Sequence, residues 1–347
     1  MPGADVERFI VPPLDGALSG GTLLNRHLLR ALERCGLALE TIGLERGRSL
    51  LASGAPGRFW IDSLFLDAFP ELLALRVSGQ RLGVLLHYLP TLVARGDQPA
   101  PADLSAGERA ALTGADIFLV PSASLRNAAR RLGAARQPIL LVEPGLPRID
   151  PAGDDPRTAG VRALLVGNLL PAKGLHPLLL ALVTELRDSD RFELSVAGGS
   201  ALDAAYAERC AELVARHPIL KGRVSLRGEV PPAELVACFA ASNLFVSASV
   251  HESYGMALAE ARVAGLPLLA HAGGHTRVHA QADAGGELVS SHTELARACV
   301  RLARDPLEHA RRLELARAHR YAPRSWETAA REFLEQLAQC TDAAALP

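Results

Sequence analysis

Two carboxylates around a helix start form the strongest chemical signal in the sequence. Glu252 and Glu260 lie in residues 244–260 (LFVSASVHESYGMALAE), which predict an apolar strand, a loop and then a helix that opens near Gly255. A helix N-terminus favours an anion, because its free N–H groups and its dipole both point at it. Glu260 lies about 9 Å along that helix at 1.5 Å per residue. The carboxylates can therefore bracket a diphosphate and accept hydrogen bonds from hydroxyl groups on either side, although E-x7-E also recurs by chance as two solvated acids.

A second signal is a lysine between a strand and a helix. Residues 163–174 (ALLVGNLLPAKG) predict an apolar strand, a glycine turn and then Lys173 just before a helix. A lysine at the carboxyl end of a strand can neutralise a phosphate. The chain has 37 basic residues, and Lys173 and Lys221 are the lysines among them, so chance explains Lys173 less well than a phosphate contact does. A solvated loop lysine is the alternative.

A glycine pair follows the first predicted strand. Residues 15–22 (DGALSGGT) contain Gly20 and Gly21, which would let the backbone approach a ligand closely. The loop does not match the G-x-G-x-x-G fingerprint of dinucleotide-binding proteins. Ordinary turn chemistry is therefore the alternative interpretation.

Three histidines with a regular spacing suggest a metal site at first sight. His271, His275 and His279 lie four residues apart, but Gly273 and Gly274 interrupt any helix between the first two. No acid completes a clear ligand set. We therefore expect no metal.

Strands alternate with helices along the chain, and the pattern occurs twice. The predicted strands are 8–13, 58–62, 81–87, 116–120, 138–142, 162–166, 191–197, 223–226 and 244–247. The predicted helices include 22–34, 122–132, 175–187, 203–216 and 325–340. Such alternation predicts parallel βαβ units, and the Pro-, Gly- and Asp-rich segment 144–160 predicts a linker. The expected fold is α/β, with two Rossmann-like doubly wound domains, 1–152 (plus a C-terminal helix, 325–347) and 153–324.

Length and composition exclude several classes of protein. At 347 residues the chain is long enough for about two domains of roughly 150 residues. A formal net charge of −1 provides no electrostatic footprint for nucleic acid. The five cysteines form no C-x-x-C pair, which argues against a zinc ribbon or a disulfide framework and suits a reducing compartment. With no signal-peptide pattern and no apolar window of about 18 residues, the expected location is cytoplasmic.

Taken in order, the motifs resemble the retaining glycosyltransferases of family 4, which have the GT-B fold. The stretches VGNLLPAKG, SASVHESYGMALAEARVAGLPLLA and AGGHTRVHAQADAGGELV match over nearly the whole second domain. The first domain matches loosely, at the glycine pair, at LLHYLP and at VPSASLRNAARRLG. The terminal SWETAAREFLEQL resembles the helix of the family that crosses back to the first domain. The resemblance implies that the two domains face each other across a cleft.

The resemblance also implies roles for individual residues. Its implied catalytic residues are His87, Lys173 and Glu252, and His87 would contact the donor sugar near the reacting carbon. Its implied donor-binding residues are Gly20, Gly21, Asn168, Lys173, Ser249, Glu252, Tyr254, Gly255, Met256, Ala257 and Glu260. In this scheme Lys173 binds the donor diphosphate, Glu252 binds sugar hydroxyls and Glu260 binds the ribose.

Two positions depart from the family pattern. The family usually has arginine where this chain has Asn168, and it often has glutamate near the position of Arg277. The first departure removes a cation from the expected diphosphate site, and Arg126 and Arg277 are the candidates to replace that cation. Both departures leave the identity of the donor open.

The acceptor side of the sequence offers weaker candidates. Those for an acceptor pocket are Trp60, Asp62 and Tyr88, which lie at or just beyond predicted strand ends. Core or rim packing is the alternative for each. Those for a peripheral contact with an anionic membrane are Arg126, Arg130 and Arg131, which fall on one helical stretch. Solvated helix charges are the commoner explanation of such a row.

The expected function is transfer of a sugar, with retained configuration, from a nucleotide-diphosphate donor to an unidentified acceptor. This is a hexosyltransferase type of reaction, with a UDP-sugar favoured and a GDP-sugar next. No cofactor is expected, because the nucleotide sugar is a substrate. The alternatives are a nucleotide-sugar epimerase of the same fold and a non-catalytic nucleotide-sugar-binding protein.

Overall fold

The computed structural model describes residues 6–15, 19–150 and 160–343. The strands in these ranges are β1 (Glu7–Ile10), β2 (Leu39–Ile42), β3 (Gly57–Asp62), β4 (Gln80–Leu85), β5 (Ile117–Val120), β6 (Ile139–Leu141), β7 (Val161–Val166), β8 (Phe192–Ala197), β9 (Val224–Leu226), β10 (Leu244–Ser247), β11 (Leu268–His271) and β12 (Glu287–Val289). The α-helices are α1 (Gly20–Arg34), α2 (Leu44–Ala52), α3 (Phe69–Leu75), α4 (Pro90–Arg95), α5 (Ala106–Gly114), α6 (Ala123–Leu132), α7 (Leu175–Glu185), α8 (Ala204–Arg216), α9 (Pro232–Ala241), α10 (Met256–Val263), α11 (Thr276–His279), α12 (His292–Arg304), α13 (Pro306–Ala318) and α14 (Trp326–Ala343).

The chain divides into two compact units. Unit 1 comprises Met1–Gly145 and Arg324–Pro347, and unit 2 comprises Leu146–Pro323. Parts of the predicted linker (151–159) and of the predicted glycine loop (16–18) lie outside the described residues.

Unit 1 contains a six-stranded sheet in the order β2-β1-β3-β4-β5-β6, and every neighbouring pair is parallel. The central strand β3 is buried along its whole length, as expected of a parallel strand covered on both faces. The chain moves from β1 to β2 on one side and then crosses to β3 on the other. The strand order therefore reverses between β1 and β3, which is where open parallel sheets place ligands.

Helix α14 completes unit 1. Its residues Ala329, Ala330 and Phe333 have no solvent exposure. The Gln336 amide donates to the Leu141 carbonyl at 2.9 Å and accepts from the Leu141 N–H at 3.0 Å. The side chain thus pairs with the backbone of the edge strand β6, whose polar groups would otherwise be open.

Unit 2 contains a second six-stranded sheet in the order β12-β11-β10-β7-β8-β9, again parallel throughout. The chain runs from β7 outward to β9 and then returns to β10 on the other side of β7. The strand order therefore reverses between β7 and β10. The two sheets with their flanking helices confirm the predicted α/β, doubly wound architecture.

Three strands, β2, β11 and β12, are absent from the strands that the sequence pattern predicted. Strand β2 shows why an edge strand escapes such a pattern. It is an edge strand of sequence LETI, and Ile42 is its one buried residue. With two exposed polar residues, it lacks the apolar run that identified the central strands.

Candidate active site

Lys173 and Glu252 come together where the strand order of unit 2 reverses. Lys173 ends the short 3₁₀ turn Pro171–Lys173 after β7, and Glu252 lies in the loop after β10. The Lys173 ammonium donates to Glu252 Oε1 at 2.5 Å, and the two side chains are 34% and 16% exposed. Two residues that lie 79 positions apart in the chain thus form one partly exposed ion pair.

The Glu252 carboxyl is ionised at neutral pH. Burial alone would raise its pKa, but the charge and hydrogen bond of Lys173 and a hydrogen bond with Ser249 outweigh burial, and the pKa lies below its ordinary value. The site therefore presents a carboxylate and an ammonium that bind each other.

Two glycines let the loops that follow the strands of unit 2 pack with their backbones in direct contact. Gly174 has φ +68°, and a Cβ at that position would lie 2.2 Å from the Ala248 carbonyl oxygen. A Cβ at Gly274 would lie 2.2 Å from the Glu252 carbonyl oxygen, which accepts a hydrogen bond from the His275 N–H at 2.8 Å. A side chain at Gly174 would push apart the loops that carry Lys173 and Glu252, and a side chain at Gly274 would displace the loop that carries Glu252.

Helix α10 begins directly beyond this ion pair. Gly255 precedes it with φ 85°, and the N–H groups of Met256 and Ala257 belong to the first turn, which has no intrahelical acceptors. Glu260 lies in the second turn, and burial raises the pKa of its carboxyl to about 7. No hydrogen bond or ion pair reaches this carboxyl from the described residues. The helix start thus offers free donors, and Glu260 offers an acceptor without a partner.

Tyr254 can offer a ligand only its backbone. Its ring is 6% exposed, stacks on His275 with a centroid distance of 5.5 Å and meets the edge of His279 at 5.3 Å. The His279 Nε2–H donates to the Tyr254 carbonyl at 2.8 Å. Burial lowers the pKa of His275 to about 4 and that of His279 to about 3, so both rings are neutral.

His271 lies apart from these two rings. It packs against His292 with a centroid distance of 4.5 Å, and burial lowers its pKa to about 4. Within the described ranges, no three His, Cys, Asp or Glu residues are grouped so that they could hold a metal ion.

Asn168 ties two loops together in place of the arginine that the family pattern implies. Its Oδ1 accepts a hydrogen bond from the Gly199 N–H at 3.2 Å, which links the loop after β7 to the loop after β8. Of the two proposed substitutes, Arg126 lies on α6 in unit 1, and Arg277 lies on α11, just past the Gly274 contact with Glu252. Arg277 therefore lies in the same unit as Lys173, and its role as a replacement cation stays a prediction.

In unit 1, His87 lies two residues beyond β4 and contacts two acceptor atoms. Its Nε2 lies 2.8 Å from Asn25 Oδ1 and 3.3 Å from Asp62 Oδ2. A Cβ on Gly21 would lie 3.2 Å from the His87 ring, so the start of α1 packs directly on the imidazole. Gly20 opens the same helix, which Ser19 caps by accepting from the Thr22 N–H at 3.1 Å.

Two of the three acceptor-pocket candidates are wrong. Trp60 has no exposure, and its Nε1–H donates to Glu7 at 2.7 Å within the core. Asp62 also has no exposure, and its carboxylate binds Asn25 and His87 instead of lining a pocket. Tyr88 is partly buried, and burial together with nearby carboxylates raises the pKa of its phenol; its contact with an acceptor stays a prediction.

Two of the three membrane-contact candidates, Arg130 and Arg131, are exposed but also bind backbone carbonyls of unit 1, so their contact with a membrane stays a prediction. Arg130 donates to the carbonyls of Ala134 and Gln137 at 2.7 Å each. Arg131 donates to the Asp97 carbonyl at 2.7 Å and to the Pro99 carbonyl at 3.2 Å. These guanidinium groups hold loops of unit 1 together. Across the described residues, none of the helices is both long enough and apolar enough to cross a membrane.

Asn25 is the functional candidate that sequence reasoning missed. It is 1% exposed on the face of α1 that also buries Leu24, Leu28 and Leu32. A buried amide requires hydrogen-bond partners. An asparagine on an apolar helix face was therefore the signal by which the sequence could have revealed this residue. The partners, Asp62 and His87, lie too far along the chain for spacing to reveal them.

Comparison with known proteins assigns the chain to a family. The model of the family "Glycosyl transferases group 1" matches residues 160–305, the range that contains Lys173, Glu252 and Glu260. A D-inositol 3-phosphate glycosyltransferase from Xylanimonas cellulosilytica is 30% identical over 331 residues, which cover 88% of this chain and 77% of the relative. The chain belongs to the group 1 glycosyl transferases. A relative of the same name from Streptomyces avermitilis is 30% identical over 281 residues, 73% of this chain, which spans only 60% of that relative's length.

Solved structures assign this group 1 glycosyl transferase the GT-B fold. Sucrose-phosphate synthase from Thermosynechococcus elongatus superimposes with a TM-score of 0.77 at 20% identity, over 98% of this chain and 100% of the other. Anabaena HepE, solved with UDP and glucose, superimposes with a TM-score of 0.73 at 16% identity, over 97% and 100%. These matches confirm the fold class that the motifs predicted, and the family model and the relatives confirm the resemblance.

Proposed function

We propose that this group 1 glycosyl transferase transfers a hexosyl group, with retention of configuration, from a nucleoside diphosphate sugar to an acceptor hydroxyl. The observation that carries the proposal is the Lys173–Glu252 pair, which lies beside the free N-terminus of α10 and near a Glu260 carboxyl without a partner. The ammonium and the backbone N–H groups there would bind the diphosphate of a nucleotide sugar. The two carboxylates would bind hydroxyl groups of its sugar and of its ribose.

When the nucleotide sugar binds, its diphosphate replaces Glu252 as the partner of Lys173. A leaving diphosphate carries more negative charge than one carboxylate, and the α10 N–H groups add donors that Glu252 does not use. Charge develops on the leaving phosphate as the glycosyl bond breaks, and preorganised donors stabilise it. Once Lys173 turns to phosphate, the Glu252 oxygens are released to accept hydrogen bonds from sugar hydroxyls.

Glu260 receives the ribose. Its carboxyl is shielded from water and has no partner among the described residues, which is why its pKa is high. Two ribose hydroxyls can each donate a hydrogen bond to it, and bonds to the charged form of a carboxyl are strong. Ribose binding therefore stabilises the carboxylate form and relieves the cost of burying it.

Retention follows from attack on the face from which the diphosphate leaves. The bond from the anomeric carbon to the phosphate oxygen breaks, and the bond from that carbon to the acceptor oxygen forms on the same face. The acceptor proton passes to the departing phosphate oxygen. This route needs no covalent nucleophile, and the carboxylate nearest the phosphate site, Glu252, is held by Lys173.

A UDP-sugar is the favoured donor and a GDP-sugar the next. HepE, a structural neighbour of this chain, was solved with UDP and glucose. The name of the relatives, D-inositol 3-phosphate glycosyltransferase, makes D-inositol 3-phosphate the first acceptor to test.

A nucleotide screen followed by product analysis tests the proposal. Thermal unfolding is measured with UDP, GDP, ADP and TDP, and a ligand at about 100 Kd should stabilise the protein by roughly 2.7 kcal/mol. The sugar forms of the best nucleotide are then incubated with the protein, with and without acceptor. Transfer, or slow donor hydrolysis without acceptor, supports a transferase. An altered sugar indicates an epimerase, and binding without turnover indicates a binding protein; either result overturns the proposal.

A further inference from the structure

Three distant segments of unit 1 meet around the His87 imidazole. Asn25 lies on α1, Asp62 is the last residue of β3, and His87 follows β4. The strand order reverses between β1, which leads to α1, and β3. The group therefore lies at the place in the first sheet where a parallel fold binds ligands, and two of its three members are fully or nearly fully buried.

The polar contacts permit one arrangement of hydrogens. Asp62 Oδ1 accepts from the Leu64 N–H at 2.7 Å, and Asp62 Oδ2 accepts from the Asn25 amide nitrogen. The amide oxygen of Asn25 must then face the His87 Nε2, at 2.8 Å. Because Nε2 faces two oxygen acceptors, it carries the hydrogen and donates it.

We propose that Asp62 and Asn25 are positioning residues that hold His87 in the Nε2–H tautomer and present Nδ1 as an acceptor for a substrate hydroxyl. No described residue makes a hydrogen bond with Nδ1, and the Gly21 backbone packs against the other edge of the ring. The hydroxyl partner rests on the proposed function, but the tautomer does not.

The Asp62→Asn substitution puts an amide where it cannot satisfy the same partners. The Leu64 N–H can only donate, so the oxygen of the new amide must face it. The NH₂ group of that amide would then face both Nε2 and the Asn25 NH₂ group, so Asn25 turns over and presents its oxygen to the new amide and its own NH₂ group to Nε2. Nε2 then faces NH₂ donors and could accept a hydrogen bond only without its own hydrogen. The substitution therefore drives the proton from Nε2 to Nδ1 and turns the free atom from an acceptor into a donor, as the wrong tautomer does in serine proteases.

Nitrogen-15 NMR of the histidine side chains tests the tautomer directly. The full-length wild-type protein, with His87 assigned through His87→Gln, should show a neutral ring protonated at Nε2. Asp62→Asn should shift the proton to Nδ1, and Asp67→Asn, the same change at a nearby exposed position, should not. A wild-type ring that is protonated at Nδ1 or at both nitrogens overturns the proposal, and this result needs no variant that folds.

Kinetics then separate this inference from the proposed function. Asp62→Asn should lower kcat about 10²-fold, the effect of a misdirected group, while the Kd of UDP stays unchanged because its proposed site lies in unit 2. Unchanged kcat with a shifted proton overturns the positioning role and leaves the transferase proposal intact. A wild-type protein without transfer activity overturns the transferase proposal and leaves the tautomer result standing.

Discussion

In unit 1, the side chains at the reversal of strand order bind one another and are largely buried, whereas in unit 2 some of them keep exposed or unpartnered polar groups. Asp62 has no exposure, and each of its oxygens already accepts a hydrogen bond. Lys173 keeps 34% of its side chain exposed, and Glu260 has no partner among the described residues. The same parallel topology thus builds a preorganised group in one sheet and an unsatisfied site in the other. Polar groups without partners indicate where a ligand contributes binding energy.

Replacing Lys173, the cation of the unit 2 site, should cause the largest loss of activity. Lys173→Ala removes the cation of this site in unit 2 and leaves the partly exposed Glu252 carboxylate without its ion-pair partner. We expect kcat/KM to fall by about 10²–10³, typical of losing one group that stabilises developing charge. Steady-state kinetics with the preferred donor measure it.

Lys221→Ala is the matched control for this variant. Lys221 is an exposed residue of unit 2 and should leave kcat/KM unchanged. Equal activity of the two variants would remove Lys173 from the site.

The pH dependence of stability should identify Glu260 as the unsatisfied acid. Its pKa in the folded chain is raised from 4.5 to about 7, so the folded state binds more protons than the unfolded state between these values. Wild-type stability should therefore fall, relative to Glu260→Gln, as the pH rises from 5 to 8. At about 1.4 kcal/mol per pKa unit the total loss is at most about 3 kcal/mol. Urea unfolding across this range measures it, and a difference independent of pH would show that Glu260 titrates normally.

Substitutions of the two glutamates should impair different properties, nucleotide binding for Glu260 and turnover for Glu252. Glu260→Gln loses a charged acceptor for the ribose and should raise the Kd of UDP about tenfold at pH 8. Glu252→Gln should leave UDP binding intact, because it also frees Lys173, but should lower kcat about tenfold, since its sugar contacts strengthen in the transition state. Calorimetry of UDP binding alongside kcat separates them. Equal losses of UDP affinity in both variants would contradict the assignment of ribose to one and sugar to the other.

The sequence predicted unit 2 better than unit 1 for a physical reason. The candidate donor site of unit 2 draws its residues from two short stretches of sequence, 163–174 and 244–260, in which glycines allow close backbone contact and Lys173 and Glu260 follow at short spacings. Such requirements leave local motifs. The His87 group instead draws one side chain from each of three elements, and Asn25 lies 37 and 62 residues from its two partners. Nothing local constrains such a group.

Burial was the property that the pattern could not supply. Trp60 and Asp62 lie at the end of a strand, where either a core or a pocket position is compatible with the sequence. The partners Glu7 and Asn25 make both side chains internal, and these pairings depend on strand and helix packing.

The return of the chain to unit 1 has a consequence for biosynthesis. Phe333 of α14 packs against Trp60 with a centroid distance of 5.4 Å, and both rings are fully buried. The ribosome adds Phe333 only after all of Leu146–Pro323 has been made. Unit 2, which is continuous in sequence, can therefore finish folding first, although domains usually mature from the N-terminus onward. Until Phe333 has been made, the Trp60 ring leaves apolar surface uncovered on the nascent chain. A translational pause before residue 324 would prolong the time for which that surface needs a chaperone.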